Sequence, residues 1–119
     1  GSARSVENRQ RVNLHDMNAG KGEKRAIFSA VLPRSGTYAV AFAFQEGPGR
    51  ASAVPVTVHH AGGETRVTVN QRDRGTVFVF RPLGEFTFRA GEPARVVVSN
   101  EGTTGYVSID EIRWIWLGP

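Results

Sequence analysis

Apolar residues in this chain recur at every second position, in short runs divided by glycine- and proline-rich turns. No window of 11 residues sustains the i, i+3, i+4 spacing of an amphipathic helix. A chain patterned in this way has to bury its apolar side chains by pairing strands, and eight short strands at even spacing fit two stacked sheets better than any helical fold.

The hairpin at the centre is the clearest of these runs. Val54, Val56 and Val58 alternate with Pro55, Thr57 and His59, and Ala61-Gly62-Gly63 supplies a turn that tolerates positive φ. Glu64 to Asn70 then returns with Val67 and Val69 inward. Upstream, Lys24 to Leu32 and Thr37 to Gln45 read as strands flanking a Pro33-Arg34-Ser35-Gly36 turn. The second of these sets Tyr38, Val40, Phe42 and Phe44 against Ala39, Ala41 and Ala43, the pattern of a central strand with a crowded second side. Downstream, Thr76 to Phe80 and Gly84 to Arg89 read as two strands divided at Pro82, with Phe86 and Phe88 facing together. Ala94 to Ser99 and Tyr106 to Leu117 complete the set. In the last run the alternation slips at Asp110-Glu111, which predicts a β-bulge there. The segment before residue 23 is polar and poorly defined. The expectation is one all-β domain over residues 1–119, a jelly-roll sandwich of about eight antiparallel strands.

Composition narrows the chemistry. At 119 residues without cysteine, the chain has no disulfide, no thiolate nucleophile and no cysteine-based zinc site. A domain of this size buries about 65% of its unfolded surface and needs no such staples. The net charge is +4, and 13 of the 15 basic residues are arginine, but they are scattered along the chain. A nucleic-acid-binding protein would gather them in a patch, so nucleic acid is not an expected partner. No stretch approaches the roughly 20 apolar residues of a membrane span. Gly1-Ser2 reads as a scar of tag removal, and a secretion signal would have been lost with it.

Catalytic constellations are missing. His59 and His60 are adjacent on a strand, so they point to opposite faces and cannot chelate one metal. One is expected to bond the turn and the other to face solvent, and His15-Asp16 joins them only by long-range coincidence. Asp110-Glu111 is divided between two faces in the same way, no nucleophile elbow is present, and no glycine run leads into a helix. The chain is not expected to be an enzyme.

A resemblance sharpens this picture. Leu14-His15-Asp16 with Gly20-Lys21-Gly22-Glu23-Lys24, Gly36-Thr37-Tyr38-Ala39-Val40, and above all Val54-Pro55-Val56-Thr57-Val58-His59-His60-Ala61-Gly62-Gly63-Glu64 with Val67-Thr68-Val69-Asn70-Gln71 resemble the golvesin C-terminal-like domain, also met as the xanthan lyase accessory-type domain. Leu83-Gly84-Glu85-Phe86-Thr87-Phe88 and Val97-Val98-Ser99-Asn100-Glu101-Gly102 fit as well. The resemblance implies a galactose-binding-like sandwich appended to larger secreted bacterial proteins, extracellular or at the cell surface, with carbohydrate binding or attachment as its role. The segment before the first matched strand and the loop Arg72-Asp73-Arg74-Gly75 are shorter than in the family pattern.

Two surfaces then stand out as ligand sites. Asn70, Gln71, Arg72, Asn100, Glu101 and Tyr106 gather amides, a guanidinium, a carboxylate and an aromatic ring at strand ends, the side chains that hydrogen-bond and stack on sugars. Trp114 and Trp116 share one strand face; exposed, they form a stacking platform, and buried, they belong to the core or to an interface. Ile109-Asp110-Glu111-Ile112 resembles the last strand of jelly-roll modules that hold a structural calcium, with Glu7 and Asp16 as partners for Asp110. The leading expectation is a non-catalytic carbohydrate-binding module, suited by its arginines to acidic polysaccharides. The alternative is a structural domain that packs on parent or partner domains through the strand Trp114 to Leu117.

Overall fold

The computed structural model describes residues 5–15, 25–72, 77–100, 103 and 107–119. Eight strands run in chain order: β1 (Ser5–His15), β2 (Arg25–Val31), β3 (Gly36–Glu46), β4 (Val54–His60), β5 (Gly63–Val69), β6 (Val77–Phe88), β7 (Pro93–Ser99) and β8 (Ser108–Gly118). They form two four-stranded antiparallel sheets, β1-β8-β3-β6 and β2-β7-β4-β5. Apart from the β4–β5 hairpin, every connection crosses from one sheet to the other, which is the strand order of a jelly roll. No helix occurs among the described residues.

The alternation seen in the sequence decides which side chains meet between the sheets. β3 is central, flanked by β8 and β6, and it buries Tyr38, Val40, Phe42 and Phe44 completely. Ile112 and Trp114 of β8 and Phe88 of β6 join them. The opposing sheet answers mostly with smaller side chains: Val54, Val56 and Val58 of β4, Val96 and Val98 of β7, Ala26 and Ala30 of β2. Rings on one layer and branched aliphatics on the other interdigitate at the usual sheet separation of about 10 Å. At the edge of this core, Tyr38 donates its hydroxyl to the Arg34 carbonyl at 2.8 Å. Glycine is required at position 36 (φ 156°), since a Cβ there would lie 2.5 Å from the Gly118 carbonyl oxygen and 2.8 Å from the Trp116 ring.

The total of eight strands agrees with the sequence through two offsetting errors. The first is β1, read as poorly defined yet paired along β8 from Ser5↔Trp116 to His15↔Ser108. Its register shifts twice, between Val6 and Asn8 and between Arg11 and Leu14, so the apolar positions drop out of period. The second is β6, which runs unbroken through Pro82 where two strands were expected. β6 is an edge strand, paired only with β3, and it bulges at this point: Ala41 pairs with Pro82 and Val40 with Gly84, leaving Leu83 as the extra residue. An edge bulge is where a sheet tolerates a residue without an N–H. Gly84 takes φ 142° to complete it. The slip expected at Asp110-Glu111 is real, but the extra residue sits on β1, between Arg11↔Glu111 and Leu14↔Ile109.

Candidate functional site

β5 closes one sheet and β6 the other, and the two edges lie on the same side of the sandwich. Between them opens a cleft of about 470 Å³, lined by Glu46, Thr68, Asn70, Arg72, Arg81 and Pro82. Each polar group is held by a specific contact. Glu46 ends β3 and is buried; its Oε2 accepts from Arg81 Nη2 at 2.5 Å, and the Arg81 side chain remains half exposed. Arg72 donates from Nε to the Arg50 carbonyl at 3.0 Å, and Arg50 donates from Nε to the Gln45 carbonyl at 3.1 Å. Asn70 Oδ1 accepts the Arg72 backbone N–H at 2.9 Å, an Asx turn that fixes where the chain leaves β5.

The loop after β5 is stitched to the loop after β3. Gln71 N–H donates to the Ala51 carbonyl at 2.9 Å, and Gly47 N–H donates to the Gln71 carbonyl at 3.1 Å. The cleft thus presents two guanidinium groups, an amide and a hydroxyl against one carboxylate that is already matched. That set hydrogen-bonds hydroxyls and pairs with carboxylates. It contains no nucleophile poised against a base.

Of the sequence-predicted ligand residues, the structure brings Asn70 and Arg72 to this cleft. Gln71 and Asn100 are corrections. Their relative exposures are 0% and 2%, so their side chains face the interior and cannot reach a ligand. Asn100 instead anchors the loop before β8, its carbonyl accepting the Thr103 hydroxyl at 2.6 Å. Glu101 and Tyr106 lie outside the described residues. Of the two alternatives for the tryptophans, the structure shows burial: Trp114 is fully buried, and Trp116 packs edge-on against Tyr38, with the Arg34 guanidinium 4.1 Å over its ring. Arg81 is hidden in the sequence because Pro82 reads as a strand end, and Glu46 because only the pairing of β3 with β6 brings it to Arg81.

Asp110 is half-buried beside the β1 irregularity. Calcium needs six to eight oxygens. Among the described residues no three His, Cys, Asp or Glu side chains gather to hold a metal, and neighbouring Glu111 is bonded to Arg113. The side chain of Glu7 and all of Asp16, the partners expected for Asp110, lie outside the described residues.

The histidine pair behaves as its strand geometry dictates. His60 Nδ1 accepts the Gly62 N–H at 3.2 Å, so the ring proton sits on Nε2 and donates to Thr65 Oγ1 at 2.9 Å. The ring also stacks on Phe86 at 5.0 Å. His59 turns to the other face, its Nδ1 3.9 Å from Glu64 Oε2. Because His60 clamps the hairpin with two hydrogen bonds and a ring contact, His60→Ala is expected to lower stability by about 1–2 kcal/mol, read from urea unfolding midpoints. A loss under 0.5 kcal/mol, on the scale of roughly the scatter for surface substitutions, would refute that clamp.

Comparison with known proteins places the chain. The family model described as the golvesin C-terminal domain matches residues 2–116. The chain belongs to the golvesin C-terminal domain family. It is 38% identical over 108 residues to a xanthan lyase of Bacillus sp. (strain GL1), an alignment covering 88% of this chain and 11% of that protein. The solved structure of a Paenibacillus xanthan lyase superposes with a TM-score of 0.81 at 32% identity, over 95% of this chain and 12% of the other. This golvesin-type domain therefore spans about a tenth of the length of the lyases it matches. An Arthrobacter globiformis T6 isomalto-dextranase shares the fold at a TM-score of 0.60 and 20% identity, over 86% of this chain and 18% of that one.

Proposed function

We propose that this domain is a non-catalytic polysaccharide-binding module that works beside other domains of an extracellular bacterial protein. The observation that supports this reading is the convergence of Arg72, Arg81 and Asn70 on one open cleft between the sheet edges. Two guanidiniums against one carboxylate favour a ligand that carries hydroxyls and carboxylates, such as an acidic polysaccharide. The relatives are in keeping with it, since each matches over a small part of a polysaccharide-cleaving enzyme. The alternative, docking to a protein through Trp114 to Leu117, has less support, because Trp114 turns into the core.

Affinity electrophoresis through xanthan, polygalacturonate and dextran tests the proposal. Retardation by an acidic polysaccharide is expected, weakened about tenfold by Arg72→Ala, as for loss of one charge-assisted hydrogen bond. Unretarded migration through all three would overturn the reading.

A further inference from the structure

The face of sheet β1-β8-β3-β6 that looks away from the core is unusual in its side chains. Where Tyr38, Val40, Phe42 and Phe44 point inward, Ala39, Ala41 and Ala43 point outward. On the flanking β6, Phe78 and Phe80 also turn outward and are 48% and 40% exposed, their rings edge to face at 5.3 Å. On the other flank, β8 places Arg113 opposite Ala41 and Glu111 opposite Ala43.

The alanine column is what lets these flanks meet. Phe80 pairs with Ala43, one pleat along from Arg113's own partner. Arg113 nevertheless crosses the low strand, and its guanidinium carbon lies 4.1 Å over the Phe80 ring. Its Nε donates to Glu111, a carboxylate only 1% exposed. The guanidinium is thus fixed from two sides, by a buried carboxylate and by an aromatic face. Among the described residues its Nη nitrogens have no other partner. In β1, Arg9 and Arg11 hold the register positions beside Arg113 and Glu111.

We infer that this outer face is a second contact for an acidic polysaccharide, with Phe78 and Phe80 stacking on a sugar ring and Arg113 bonding a carboxylate. The inference rests on the polysaccharide-binding reading above and adds a surface to it. An arginine whose plane is already set loses less freedom on forming a bidentate bond to a carboxylate. By register this face carries the arginine positions 9, 11 and 113 against Glu85 and Glu111, a net positive balance that an anionic chain can meet. Size decides against a protein. The four strands span about 14 Å from β1 to β6, and the stretch from Phe78 to the level of Ala39 runs about 20 Å. That footprint, on the order of 300 Å², falls short of the roughly 800 Å² per partner of a stable protein interface. It is wide enough for a sugar chain.

Calorimetric titration of the domain with oligogalacturonate tests this with three variants. Phe78→Ala and Arg113→Lys are each expected to weaken binding at least fivefold, at unchanged melting temperature for Phe78→Ala; Arg72→Ala reports separately on the cleft. If Arg72→Ala loses affinity while both outer-face variants bind like the parent, the second contact is overturned and the cleft stands. If only the outer-face variants lose affinity, the outer face stands and the cleft reading fails. Absence of binding by the parent domain overturns both. Unchanged binding by Phe78→Ala together with loss of self-association in sedimentation would make this face a protein contact and overturn the inference.

Discussion

Trp114→Ala is expected to lower the stability of the domain by about 3–5 kcal/mol, the usual cost of emptying a large aromatic from a closed core. Trp114 lies mid-strand in β8, paired with Asn8 of β1 on one side and Val40 of β3 on the other. Its side chain is fully buried in the cluster that includes Tyr38, Phe42 and Ile112. Backbone pairing on both flanks prevents the sheet from collapsing into the vacated space, which places the loss toward the upper part of that range. Trp114→Phe is the informative control. The indole N–H has no acceptor among the described residues, so Phe gives up volume without giving up a hydrogen bond seen there. It is expected to cost about 1–2 kcal/mol, less than a ring deletion and closer to a shape change. Urea unfolding with a shared m-value would read both. Wild-type stability in Trp114→Ala would mean that the side chain is not in the core, and the stacking-platform reading would return.

That test also marks how far the sequence could be read. Strands with strict alternation were legible to within a residue or two: β4 as Val54–His60, and β3 with its bulky face inward and its alanine face out. What escaped was set by strand pairing, which one strand's pattern does not carry. β1 has few apolar residues and two register shifts, and it is held by its neighbour β8. Pro82 looked like a break because the sequence does not say which strands are edges. The site was legible in type but not in membership. Asn70 and Arg72 line the cleft, and polar residues ending a strand are visible in sequence. Gln71, lying between them, was wrongly included because the loop turns its side chain inward through pairing with residues 47–51. Arg81 and Glu46 come from β6 and β3, and only the meeting of two sheet edges brings them to Arg72. The outward Phe78 and Phe80 could have been found from their alternation with Val79, had β6 been read as an edge strand.

Arg113→Met is expected to cost about 2–3 kcal/mol, and the reason lies in Glu111 more than in the arginine. Glu111 sits on the outer face of its sheet yet is almost completely buried, between Ala43 and Arg11 in register and beneath the Arg113 side chain. A carboxylate in that position is tolerable because a guanidinium bonds it, and removing the cation leaves a desolvated charge without this partner. Breaking such a pair costs about 3–5 kcal/mol when both partners are fully buried. Arg113 keeps a side-chain exposure of 26%, so solvent reaches the gap and the loss falls below that range. Methionine preserves much of the packing on Phe80, which isolates the charge from the contact. The double variant Glu111→Leu/Arg113→Met removes both charges at similar volume. It is expected to recover most of the loss, because an apolar pair at a buried site is often no less stable than the ion pair it replaces. Recovery would show that the pair adds little net stability, and that this face keeps it for the orientation it gives the guanidinium. If the double variant were instead as unstable as the single one, the loss would belong to Arg113's packing over Phe80, and Glu111 would not be what holds the guanidinium in place.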